Sequence, residues 1–490
     1  MKTSTPATSP APDPDRGPNQ ARDNADNADN ADNRVNTVPG LTPRRRAAVQ
    51  VFGAVFMILG LVCLIWQTRG VLAHTRDAYL LDVGVFADAG RAILDHAPLY
   101  GEGFPSRSGF AFIYPPVAAV LFVPLTWMDE QVMEMVWTWA SLIAAWLVLT
   151  MAVHRLTTVL LPGQDVTAVR CRRAAPVAGL AALGFALLFE PLQVHLMYGQ
   201  INVFLVLLVT VDLLGYTPRQ LRGAGVGVAA GIKITPAAYA LVFLVTKRWG
   251  DLARSFAAFL VTVVAGWVFR SSDSLFFWTE EFFNSERGGG PGYPPNQALT
   301  GLLTRAGMDP DTAQTVMVPG LLLIAAVAGW AVYRLSAAGR PVSVLLVLVL
   351  AVSVSSPIAV THHWTGVIVA VTLLAFQATV LVAGHRELWD WPTAVGTLLL
   401  VAANLSFGRL DDVDYQSTPN HHYQVFSESG PWSLSDFGVV EYLYGNMQGL
   451  AGIVCLALLC VSAWRARPVP ARPVTSKVSD RAGVQVESAR

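Results

Sequence analysis

The sequence predicts an all-α polytopic membrane protein, a bundle of about 10–12 transmembrane helices with long extracytoplasmic loops. Three observations predict it. Of 490 residues, 53% are hydrophobic and only 14% charged, against roughly a quarter charged in ordinary soluble domains. So little charge cannot cover a water-facing surface. The apolar residues also come in blocks rather than in amphipathic spacing, as in Ala47–Trp66, Thr138–Val153, Val342–Val354 and Leu450–Trp464, approaching the ~20 residues that cross a bilayer core. Lysine and arginine, finally, gather in short stretches between those blocks, the distribution that orients membrane helices.

Taken from the N-terminus, residues 1–45 are polar, rich in Pro, Asp and Asn, and carry a short Asp-Asn-Ala repeat from Asp23 to Asn33. They lack the apolar surface to fold and read as a disordered cytoplasmic tail. Ala47–Trp66 stands too far into the chain for a cleaved leader and reads as a retained signal anchor. Residues 46–466 form the membrane domain, and 467–490 a second disordered cytoplasmic tail.

Orientation follows from the basic loops. Arg44, Arg45 and Arg46 precede the first span and place the N-terminus inside. Arg155 to Arg173, Arg219 with Arg222, Lys247 to Arg254, Arg334 with Arg340, His385 with Arg386, and Arg465 with Arg467 belong on the same side. Simple alternation cannot satisfy all of them. Phe112–Trp127 is only about 16 residues long, short of a full crossing, and starts at a Tyr-Pro-Pro turn. Gly223–Thr246 has basic residues at both ends and a Gly-Ile-Lys-Ile-Thr-Pro break between them. Reading both as re-entrant or broken helices gives about ten full spans plus two partial ones, with twelve full spans as the competitor; such breaks are tolerated only where they line protein or a wet cavity. Three long segments then fall outside, Gln67–Ala111, Arg270–Gln314 and Phe407–Val439. Loops of that length are usually functional.

Net charge is zero, 34 basic against 34 acidic residues, so nothing in the balance draws nucleic acid. The four cysteines (Cys63, Cys171, Cys455, Cys460) have neither metal-ligand spacing nor a disulfide framework. No cofactor is expected: there is no glycine-rich phosphate loop, and no aspartate pair of the kind that holds a metal for a nucleotide-sugar. Asp82, in Leu-Asp-Val-Gly, follows the first span ahead of Asp88 and Asp95; a carboxylate there can accept a proton from a sugar hydroxyl, though a lone aspartate in such a place is more often a solvated helix cap. Lys233 stands inside an apolar segment, where a charge costs roughly 2.5–3.5 kcal/mol on insertion scales. It suits a phosphate at a helix break, or equally a side chain snorkelling to the interface. His362 and His363 follow Ser-Ser-Pro; adjacent residues of a helix point apart, so one of them rather than both is expected at a small site. Gln200 with Asn202, and Asn296 with Gln297, put amides at membrane edges, suited to hydroxyl-rich ligands or to capping.

The pieces LDVGVFADAG, LDHAPLY, FIYPPVAAVLFVPL, FEPLQVHLMYGQIN, GVAAGIKITPA, NQALTGLLTR and SSPIAVTHHW, in this order from Leu81 to Trp364, resemble the polyprenol-phosphate-mannose-dependent α-(1→2)-mannosyltransferases of actinobacteria, a branch of the GT-C glycosyltransferases. The resemblance implies a GT-C-like transmembrane domain and an extracytoplasmic site in the cell membrane. It also implies a polyprenyl-phosphate-mannose donor drawn from membrane lipid, and a mannosylated glycolipid or lipoglycan acceptor. Asp82 occupies the family's catalytic aspartate position; Lys233 matches its K-x-T-P segment, and His362 and His363 its T-H-H-W. Tyr114, Gln200, Asn202, Asn296 and Gln297 join the substrate-binding set, with Arg305 as a further cation for the leaving group. Two departures, Ala359-Val360 where the family often has Ser-Trp and Ala298 where it often has Ser, bear on the acceptor side. The implied reaction is a single inverting displacement with one carboxylate base and no metal. A decaprenyl-phosphate-arabinose-dependent arabinofuranosyltransferase is the alternative from the same superfamily, and a secondary transporter the alternative from another class.

Overall fold

A computed structural model describes residues 41–161, 166–284, 289–412, 422–426 and 438–468. The Asp-Asn-Ala repeat, His421 and the chain beyond Pro468 lie outside the described residues. In order, the helices are α1 (Pro43–Asp77), α2 (Leu81–Leu94), α3 (Pro116–Phe122), α4 (Glu130–Leu160), α5 (Val166–Arg173), α6 (Ala175–Ala186), α7 (Glu190–Tyr198), α8 (Asn202–Leu213), α9 (Ala224–Ile232), α10 (Leu241–Val245), α11 (Trp249–Phe269), α12 (Ser271–Thr279), α13 (Leu299–Arg305), α14 (Pro310–Ala337), α15 (Pro341–Ser355), α16 (Val369–Ala383), α17 (Trp391–Asn404), α18 (Val439–Gly445) and α19 (Met447–Arg465). Short 3₁₀ turns precede several of them, notably Thr235–Ala240 before α10 and Thr361–Ile368 before α16. Among the described residues there is no named strand, only two isolated bridges, Phe189 with Leu405 and Asn296 with Val360.

Local chemistry accounts for many of the boundaries. Pro43, Pro116, Pro191, Pro310 and Pro341 stand in first turns, where proline's missing N–H costs nothing. α7 and α16 end on left-handed Gly199 and Gly384. α1 begins three residues inside the stretch read as a tail, because Thr42 accepts a hydrogen bond from Arg45 N and Pro43 sets the first turn. It also runs to Asp77, so the first outer segment starts later than Gln67 and itself contains α2.

Among the described residues, six helices are long and apolar enough to cross a membrane: α1, α4, α11, α14, the 361–383 unit ending in α16, and α19. Shorter or broken helices complete the path: α6 with α7, α8, α15 and α17. With the six long helices, these fit the reading of about ten spans. Two excursions do not cross. Pro116–Trp127 packs on α2 and leads straight into α4 at the same end. α9 is preceded by Gly223, whose N–H is held by Asp212, and the chain is back beside that start in the first turn of α11, where a Cβ on Gly223 would lie 2.1 Å from Asp251 O. Lys233 is the apex of this hairpin.

The basic loops meet at one end. Arg155 donates to Gly215 O, Arg254 to Arg222 O, Arg334 to Ala466 O and Arg340 to Asp390. Lipid-facing helices show it in their side chains: on α1, Val51, Ile58 and Val62 are about 60% exposed, whereas α15, without a charged residue, is buried along nearly its whole length. α1 and α6 touch backbone to backbone, since a Cβ on Gly60 would lie 2.4 Å from Ala181 O and one on Gly184 1.8 Å from Gly60 O. Small residues allow that approach between membrane helices.

Candidate active site

The site is built at the end of the bundle opposite the basic loops. Glu134 of α4 accepts the Leu80 N–H at 2.8 Å and so fixes where α2 begins; Asp82 stands in the first turn of that helix. Phe86, one turn on, stacks on Phe122 with ring centres 4.5 Å apart and meets Tyr114 edge-on at 5.4 Å. Trp137 continues the aromatic column to Phe204 at 5.0 Å. Its indole N–H also donates to Gln200 O at 3.2 Å.

Tyr-Gly-Gln-Ile-Asn is the hinge of the site. Gly199 takes φ of 68°, and a Cβ there would come 2.8 Å from Val83, so only glycine turns the chain here while α2 lies against it. The turn aims Gln200 at α2, and its Nε2 donates to Asp82 Oδ2 at 2.6 Å. Asn202 Nδ2 lies 3.5 Å from Gln200 Oε1 and donates to His362 O at 3.1 Å. Lys233 Nζ donates to Asn202 Oδ1 at 3.0 Å and sits 5.5 Å over the Tyr114 ring. A carboxylate and an ammonium are thus joined through two amides. The other oxygen of Asp82 accepts no hydrogen bond among the described residues.

Burial pushes the Asp82 carboxyl up to about 7, with the Gln200 hydrogen bond and the Lys233 charge pulling the other way. A base poised near neutrality is what proton transfer from a hydroxyl needs. At the other end of the bonded series, Asn202 and Lys233 line a pocket with Thr235, Tyr239, Ser356 and His363.

The two histidines stand in a 3₁₀ turn with their rings edge to face, 4.7 Å between centres. His363 lines the pocket, while His362 packs against Tyr198 at 6.0 Å and offers its carbonyl oxygen to Asn202.

Asp82, Tyr114, Gln200, Asn202, Lys233, His362 and His363 therefore converge. Asn296, Gln297 and Arg305 are placed in a neighbouring, fully buried network whose partners are protein. Asn296 Oδ1 accepts from Ala298 N and Ala359 N, and its Nδ2 donates to Pro291 O. Gln297 bridges Gly445 O and Gly449 N. Arg305 donates to Asn446 Oδ1, Tyr293 O and Asn296 O. Asp88, in sequence a loop aspartate like Asp82, is buried and paired with Arg107 at 2.6 Å, while Asp95 is exposed.

Sequence reasoning missed Glu134 and Trp137, which orient the site, and His195. That histidine is fully buried in α7, within electrostatic reach of Lys233 and His362, and neither ring nitrogen has a hydrogen-bond partner among the described residues. Its one visible signal was a histidine inside the FEPLQVHLMYGQIN piece. Among the described residues no three His, Cys, Asp or Glu side chains gather as a metal set.

Glycosyltransferase family 87 matches residues 112–357, from the site's Tyr114 to the loop before its histidines. The chain belongs to that family. Its relatives include two polyprenol-phosphate-mannose-dependent alpha-(1-2)-phosphatidylinositol mannoside mannosyltransferases. That of Mycobacterium tuberculosis is 31% identical over 64% of this chain and 75% of its own length; that of Mycolicibacterium smegmatis is 31% identical over 71% and 80%. A phosphatidylinositol pentamannoside mannosyltransferase of Mycolicibacterium smegmatis, also polyprenol-phosphate-mannose-dependent and alpha-(1-2), is 30% identical over 77% of this chain and 85% of its own. No solved structure matches.

Proposed function

We propose that the chain transfers mannose from polyprenyl-phosphate-mannose to a 2-hydroxyl of a mannosylated glycolipid or lipoglycan, forming an α-(1→2) linkage with inversion. The observation that carries the reading is the bonded series Asp82–Gln200–Asn202–Lys233, which holds a base and a cation at fixed separation in one membrane-embedded site. The named relatives all use this donor and this linkage.

In the reaction, the free oxygen of Asp82 takes the proton of the acceptor hydroxyl as that oxygen attacks the anomeric carbon. The bond from that carbon to the phosphate oxygen breaks, and polyprenyl phosphate leaves with the electron pair. Lys233 faces the charge that grows on the phosphate, and His363 lines the same pocket. Gln200 orients the base by occupying its second oxygen. No covalent intermediate is required.

The site belongs on the extracytoplasmic face of the cell membrane: the basic loops gather at the opposite end of the bundle, and basic loops favour the cytoplasm. Isolated membranes carrying the chain should move label from polyprenyl-phosphate-mannose to lipid. Absence of transfer with a full complement of donor and acceptor lipids would refute the reading. Single cysteines placed at 95–110 or 271–279 should react with an impermeant thiol reagent on intact cells; reaction only after lysis would reverse the sidedness.

A further inference from the structure

A second pocket lies at the basic end of the bundle, away from the transfer chemistry. Arg155, Arg340, Leu156, Val159, Leu373 and Phe376 are among its walls. It encloses about 50 Å³, space for roughly three to five water-sized groups at about 10–15 Å³ each and therefore of the size class of a phosphate. Helix rise measures its distance from the site. Arg155 is 18 residues along α4 from Trp137, about 27 Å, and Ser343 is ten residues along α15 from Ser353, about 15 Å.

The two arginines differ in how they are held, and both keep donors for a ligand. Arg155 gives Nη2 to Gly215 O at 3.1 Å and lies 4.7 Å over the Tyr216 ring; its buried Nε has no partner among the described residues. Tyr216 is itself fixed by His154 Nδ1 at 2.6 Å. Arg340 gives Nη1 to Asp390 Oδ2 at 2.9 Å and to Ser462 Oγ at 3.1 Å. Asp390 is the acidic residue lining the pocket, and its charge is answered by Arg340, Thr393 and Ser462. A guanidinium has five donors in a planar fork, so each arginine has more than its internal bonds consume. The apolar walls suit acyl chains directly beside the cationic mouth.

We propose that this pocket binds the phosphate of an anionic phospholipid from the leaflet opposite the active site, with Arg155 and Arg340 on the headgroup and Leu156, Val159, Leu373 and Phe376 along the chains. Basic pockets between membrane helices at the cytoplasmic boundary recognise lipid phosphates in this way. The lipid would tie α4, α15, α16 and the start of α17 together at the end farthest from the chemistry.

The test uses full-length protein, purified and delipidated in neutral detergent, with thermal unfolding followed by tryptophan fluorescence. Dioleoyl phosphatidylglycerol should raise the midpoint by about 2–4 °C or more beyond dioleoyl phosphatidylcholine. Inorganic phosphate should not reproduce that increment. Arg155→Gln should lose it, as should Arg340→Gln combined with Asp390→Asn, which removes the arginine without stranding its carboxylate. Arg155→Lys should keep part of it, and Arg219→Gln, an exposed arginine at the same end, all of it. Equal stabilisation by the two lipids, or a full increment in Arg155→Gln, overturns the proposal. A full increment from inorganic phosphate alone overturns the lipid assignment. If a glutamine variant fails to fold, native mass spectrometry of Arg155→Lys and the wild type decides: a retained anionic lipid in the wild type, reduced in the lysine variant, supports the site, and no retained lipid in either overturns it. No measurement here depends on sugar transfer, so its failure and that of the enzymatic reading are separable.

Discussion

Two polar networks of similar composition stand side by side in this bundle and have opposite character. One joins Asp82, Gln200, Asn202 and Lys233; the other joins Asn296, Gln297, Arg305 and Asn446. Each contains amides and a cation in an apolar setting. In the second, Arg305, Asn296, Gln297 and Asn446 are no more than 1% exposed, and most partners are backbone groups. Those bonds clamp the 356–360 loop to α13 and α19. In the first, Asp82 and Lys233 are only half-buried, and one carboxylate oxygen accepts no hydrogen bond from any described residue. A satisfied network stabilises a fold. One that keeps an unused acceptor and a pocket-facing cation is equipped for chemistry.

The sharpest way to break the comparison is Asp82→Asn, which preserves shape and removes the base. Transfer should fall by at least ~10²-fold with normal insertion, while Asp95→Asn, exposed on the same segment, stays near wild type. Asp88→Asn is a poor silent control, because it strips a buried partner from Arg107. Wild-type turnover in Asp82→Asn would remove the first network from the reaction.

Lys233→Met should lower transfer on the order of 10²-fold through the donor phosphate. Steady-state rates against donor concentration, at matched protein level, would detect it. An unchanged rate would leave Lys233 only a structural partner of Asn202.

Gln200→Met tests positioning rather than chemistry. Its hydrogen bond holds the Asp82 carboxyl below where burial alone would put it. Protonated Asp82 cannot accept a proton, so wild-type activity should rise with pH through about 7. In the variant that acid limb should move to higher pH, with about a tenfold loss at neutrality, one pKa unit's worth, and recovery in alkali. A loss equal at every pH would mean a purely structural role.

The smallest effect on transfer belongs to the second network. Arg305→Met leaves Asn446 Oδ1 and two carbonyls without their donor, a loss of about 2–5 kcal/mol in stability. Folded yield and unfolding midpoint should fall, while the rate per folded molecule holds. A folded variant with lost turnover would return Arg305 to the leaving-group role and erase the contrast between the networks.

Much of the architecture was legible along the chain, for a physical reason. A bilayer imposes a length on every crossing, so apolar blocks, basic loops and the Lys233 break are local signals that survive without knowledge of neighbours. Parity of the basic loops marks Phe112–Trp127 and Gly223–Thr246 as the two exceptional segments, and Pro and Gly mark many of the helix ends. Partnership is different. Gln200 meets Asp82 across 118 positions, and Arg305 meets Asn446 across 141; nothing local distinguishes the amide that orients a base from the one that clamps a loop. Likewise, that His363 rather than His362 lines the pocket could not be read from two adjacent histidines. The sequence by itself determined which residues could be polar inside the membrane. Only the tertiary structure decided which of them would be satisfied, because hydrogen-bond satisfaction belongs to a pair of sites and not to either residue.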